Sequence, residues 1–98
     1  MQVKPGVSVK GFKPEAFFGL MICQDVFNSV NQQMVVTSIS EGKHKAGSLH
    51  CEGYAFDLRI FGLRGIGSHE LGQRLQEALG AEYDVVVEPS HIHVEFDP

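Results

Sequence analysis

The chain has 98 residues, 43% hydrophobic and 20% charged, with a formal net charge of −4. That length suits one domain, residues 1–98, and the composition is that of a globular chain with a modest core. The acidic balance and the lack of a basic stripe exclude nucleic acid as a partner, and no apolar run approaches the roughly 20 residues that span a membrane.

Residues 1–12 read as an extended start in which Val3, Val7 and Val9 form a short strand. MQVKPGVSVKGF has no apolar core of a signal peptide, so synthesis in the cytoplasm without a leader is expected. Pro14 suits the first turn of a helix, where its missing N–H costs nothing. Phe17, Phe18, Met21, Ile22, Cys23, Val26, Phe27 and Val30 then recur at helical spacing, which predicts a helix over 14–31 buried along a broad face. Core packing is preferred to a cofactor box for that Phe/Met stripe. Cys23 reads as a small core residue. With only Cys23 and Cys51 there is no disulfide framework.

Residues 33–39 predict a short strand and 40–48 a polar, glycine-containing loop. In that loop Lys43 and Lys45 flank His44 in a small basic spot that reads as solvated. Strand 54–60 alternates: Tyr54, Phe56, Leu58 and Ile60 face one side, Ala55, Asp57 and Arg59 the other. Gly62 to Gly67 is a turn region without the Lys-Ser/Thr of a phosphate loop. Ser68 caps a second helix, 69–79, with Glu70 in its first turn. Leu71, Leu75, Ala78 and Leu79 form its buried stripe and Gly80 ends it. His69, at its start, reads as a surface residue, as does His44.

Residues 84–88 and 91–96 predict a hairpin. Ile92, Val94 and Phe96 form its apolar face; His91, His93 and Glu95 form its polar face. A loop of only Pro89 and Ser90 sets Glu88 opposite His91 on that polar face, although Pro89 does not suit the favoured two-residue turns. The expected class is α+β: a small antiparallel sheet with helices on one face and a metal site on the other.

Two imidazoles and a carboxylate are the set a catalytic zinc ion uses when its fourth position stays open. His50, Asp57 and one of His91 and His93 offer that set from three stretches of chain; spacing does not choose between the last two. Cys51 neighbours His50 but points away from it in an extended chain, so it is not expected to ligate the same ion.

Ser48, His50, Gly53, Ala55 and Asp57 fit S-x-H-x-x-G-x-A-x-D, and His91 with His93 fits a later H-x-H. Together they resemble the M15 peptidases, zinc enzymes that cut peptides of bacterial cell walls, and most of all the small bacteriophage-encoded members. The Hedgehog signalling domain is similar in fold and zinc ligands. The resemblance implies Zn²⁺ on His50, Asp57 and His93, with His91 assisting catalysis. It implies a peptidoglycan stem peptide or cross-bridge as substrate, and action at the cell wall after lysis or from a virion. No membrane partner is expected, and a monomer is.

Ser90 occupies the position where many phage relatives carry the acidic base, which leaves Glu88 as the candidate base. The loop lacks the arginine with which many members grip a substrate carboxylate. Lys43 and Ser48 are the substrate-binding candidates there, and an endopeptidase is favoured over a strict carboxypeptidase. The alternative function is a zinc-bearing binding or virion module that cleaves nothing.

Overall fold

The computed structural model describes residues 1–39 and 53–98. His50, Ser48, Lys43, His44, Lys45 and Cys51 therefore lie outside the described residues. Five strands, β1 (Gln2–Val3), β2 (Val35–Ser38), β3 (Ala55–Arg59), β4 (Tyr83–Val87) and β5 (His91–Phe96), form one sheet in the order β1-β2-β3-β5-β4. Helices α1 (Pro14–Ser29) and α2 (Ser68–Leu79) complete an α+β fold. The sheet is mixed, which corrects the expected antiparallel one: β1 runs parallel to β2, and the other pairings are antiparallel. A two-residue strand carries no periodicity to read, and Val7 and Val9 lie outside it.

The alternation in β3 and β5 sorts the two faces. Phe56, Leu58, Ile92 and Val94 are buried, and with Val36 they meet Leu20, Cys23, Phe27, Leu71 and Leu75 of the helices. Each such side chain contributes on the order of 1.5–3 kcal/mol through burial. Asp57 pairs with His93, and Arg59 with His91, on the opposite face.

Pro14 occupies the first turn of α1 as expected. The helix stops at Ser29, two residues early. Asn31 adopts φ 60°, its N–H donates to the Asn28 carbonyl at 3.1 Å, and the Gln32 N–H donates to the Phe27 carbonyl at 2.9 Å. This pair of bonds is a Schellman closure, which asparagine tolerates in the left-handed position.

The buried face of α1 also departs from expectation. Ala16, Gly19, Leu20, Cys23 and Phe27 face the core, whereas Phe17, Phe18 and Met21 are at least half exposed. Apolar residues lie around most of this helix, so periodicity alone chose the bulkier stripe. The small residues won because the helix approaches β4 closely: the Tyr83 ring lies against Gly19, and its hydroxyl donates to the Glu15 carbonyl at 2.6 Å.

Helix α2 begins one residue earlier than expected. Gly67 holds the cap position and Ser68 makes no capping bond, because it already lies in the first turn. Leu71, Gly72, Leu75 and Leu79 are buried and Ala78 is exposed. Gly72 replaces Ala78 in the stripe because α2 lies close on β4: a Cβ at Gly72 would stand 2.5 Å from Val87.

Candidate metal and peptide site

Two features of the G-x-A-x-D segment have a local physical cause. Gly53 has φ 86°, and a Cβ there would collide with the Gly11 carbonyl oxygen. The Lys13 N–H donates to the Gly53 carbonyl at 2.9 Å, tying this turn to the start of α1. Ala55 is completely buried although it shares the face of Asp57, so only a small side chain fits. These constraints fix the entry to β3 and, two residues on, the position of Asp57.

The neighbouring strand reinforces that position. Val36 pairs with Leu58, but Ser38 pairs with Asp57, so Thr37 is one residue extra in β2. Such bulges re-aim side chains and recur beside active sites. The Thr37 hydroxyl donates to the Asp57 backbone carbonyl at 3.4 Å.

On the open face Asp57 Oδ1 lies 3.0 Å from His93 Nδ1 and 3.7 Å from His91 Nε2. His93 Nε2 lies 2.7 Å from Glu95 Oε1. The Asp57 and His93 side chains are only 16% and 19% exposed, which shields the pair from water. His93 thus stands between two carboxylates and holds a proton well: the hydrogen bond to Asp57 raises its pKa above the usual range, burial opposes this, and Glu95 adds to it.

Ser90 Oγ lies 3.0 Å from His91 Nδ1. The hydroxyl can donate to Nδ1 or accept from it, and either bond holds the ring with Nε2 as the nitrogen nearer Asp57. Ser90 therefore stands as a partner of His91.

The described residues fit a metal in part. Ligand atoms at about 2.0–2.1 Å around a tetrahedral zinc lie roughly 3.3 Å apart, close to the Asp57–His93 separation of 3.0 Å. A ligating histidine ordinarily gives its other N–H to a carboxylate, and Glu95 stands in that place. The residue order H-x-H-x-E set Glu95 on this face, but sequence reading gave it no role. Glu88 falls opposite His91, its N–H donating to the His91 carbonyl at 2.8 Å. Its carboxylate makes no ion pair with either histidine among the described residues.

A second group, Asp84, Glu95 and Asp97, has carboxylate oxygens within 4.8 Å of one another and could hold a metal ion. Desolvation, a hydrogen bond to Asp97 and the charges of Asp97 and Glu95 raise the Asp84 carboxyl above its ordinary range, while His93 acts the other way. Asp84 is itself exposed, so crowding by the other carboxyls is the stronger physical cause, and a shared proton satisfies it.

A cleft of about 500 Å³ opens beside the pair, lined in part by Asp57, His91, Ser90 and Arg59. His69 lines a separate groove between α2 and β4 and does not line this cleft. Comparison with protein-family models, curated proteins and solved structures gives no match to this chain. No helix among the described residues is long and apolar enough to cross a membrane.

Proposed function

We propose that the chain is a zinc-dependent peptidase of the M15 type acting on peptidoglycan peptides. The observation that carries this reading is the Asp57–His93 pair at 3.0 Å, backed by Glu95 on the second histidine nitrogen and opening onto a cleft. Asp57 and His93 would hold the ion together with His50. A bound zinc would supply Lewis-acid polarisation of the peptide carbonyl and acidify the water that attacks it.

The chain's own groups do the remaining work. Glu95 keeps the His93 ring oriented, with Nδ1 toward Asp57. Ser90, bonded to His91 Nδ1, holds the ring so that its Nε2–H donates to the oxyanion that forms on the peptide carbonyl. Glu88, on the same face by register, accepts the proton of the attacking water and returns it to the leaving amine. Lys43 and Ser48 contribute to substrate binding from the loop.

The reading is tested by variants on purified peptidoglycan. Asp57→Ala and His93→Ala are expected to lose both bound zinc and cleavage, while Val86→Thr, an exposed change on the same face, keeps both. Zinc retained in full by His93→Ala would contradict the ligand set. Glu88→Gln is expected to keep zinc and lose a factor on the order of 10²–10⁴ in rate. If the wild type binds zinc yet cleaves nothing, the second reading holds: a zinc-bearing binding module. The Ser90–His91 hydrogen bond favours that reading, since it fills the usual position of the base with a serine already engaged.

A further inference from the structure

The cleft beside Asp57 also contains an unused cation. Arg59 lies two residues beyond Asp57 on β3, so both project from the open face, with backbones about 7 Å apart at roughly 3.4 Å per residue. Arg59 pairs in register with His91, and both line the cleft. The Arg59 guanidinium carbon stands 4.3 Å from the centroid of the Phe61 ring, whose own surface is 73% exposed. Stacking of this kind fixes the guanidinium plane and leaves its N–H edge available.

Lys4 lines the same cleft. Among the described residues neither Arg59 nor Lys4 makes an ion pair. Among the described residues the one carboxylate in the cleft wall, Asp57, is engaged by His93. Two cations with no carboxylate partner among the described residues thus line a concave surface, and one of them is a planar fork whose geometry matches a carboxylate.

We propose that Arg59, with Lys4 adding positive charge, binds the C-terminal carboxylate of the peptide substrate. The proposal rests on the reading of this cleft as a peptide site. Arg59 thereby favours peptides with a free C-terminus in this cleft and becomes a residue that determines specificity for chain ends, where the sequence alone offered Lys43 and favoured internal cleavage.

The test uses the full chain with zinc and two forms of one stem pentapeptide, the free acid and its C-terminal amide. Both carry the same side chains, so their difference isolates the terminal carboxylate. Calorimetry is expected to show the acid binding about tenfold or more tighter, the scale of one charge-assisted hydrogen bond. Arg59→Met should bind both forms equally weakly with an unchanged circular dichroism spectrum, and Arg59→Lys should keep part of the preference. Equal affinity of the wild type for both forms, no binding of either, or a preference that survives in Arg59→Met would overturn the proposal. Binding that prefers the acid without any hydrolysis would leave the anchor standing and remove the peptidase reading. Hydrolysis indifferent to amidation would do the reverse.

Discussion

Gly53→Ala is the sharpest probe of how the backbone positions the site. At φ 86° an alanine leaves its allowed region, and its Cβ meets the Gly11 carbonyl oxygen, a backbone atom that cannot swing aside. The first effect costs about 1–2 kcal/mol. Relief of the second must separate the two segments and stretch the bond from the Lys13 N–H to the Gly53 carbonyl, about 1 kcal/mol more. The sum is about 2–3 kcal/mol, which for a domain of this size lowers Tm by roughly 8–24 °C. Gly62→Ala is the control: φ is also 86°, but nothing lies within 4 Å of the added Cβ. It should cost only the conformational part, about 1–2 kcal/mol. Urea unfolding of both variants, followed by circular dichroism, gives the two values directly. If Gly53→Ala is no less stable than Gly62→Ala, the close approach of Gly11 is not what requires glycine there.

Three further outcomes follow from the packing and the charges. Glu95→Gln should weaken zinc binding by about 10–100-fold without abolishing it, as measured by competition with a chromophoric chelator, because it removes the partner of His93 Nε2. In the metal-free protein, His93 has a raised pKa, so its contribution to stability is complete below the unfolded value near 6.5 and is lost as pH rises through the folded value; Asp57→Asn should flatten that part of a pH–stability curve, and its persistence would assign the dependence elsewhere. Burial pushes the Cys23 thiol up to about 12. Its contribution is therefore intact below about pH 9, the ordinary range of a thiol, and falls as pH rises toward 12, and a thiol reagent at neutral pH should label Cys23 only after unfolding.

Much of the sheet was legible because β3 and β5 alternate with period two and carry their polar residues in phase. Asp57 and His93 could be set on one face from that alone, and the Glu88–His91 opposition from the hairpin count. Helix α1 was located by Pro14 and its apolar spacing, but its orientation was not. Apolar residues circle it, and the deciding contact, the Tyr83 ring on Gly19, lies 64 positions away in sequence. The parallel pairing of β1 was invisible because two residues have no period. Arg59 was assigned to the correct face, yet its place in a cleft depends on β1 and Phe61, which flank it only in three dimensions. Glu95 needed the His93 ring geometry before its role could be seen.

The central claim, a zinc-dependent peptidase, is tested most directly by the release of new amine termini from purified peptidoglycan, with and without a metal chelator. The account predicts release by the untreated protein, its loss on chelation, and its recovery when zinc is restored. Release that continues after verified removal of the metal would contradict it, as would the absence of release from a protein carrying one zinc per chain.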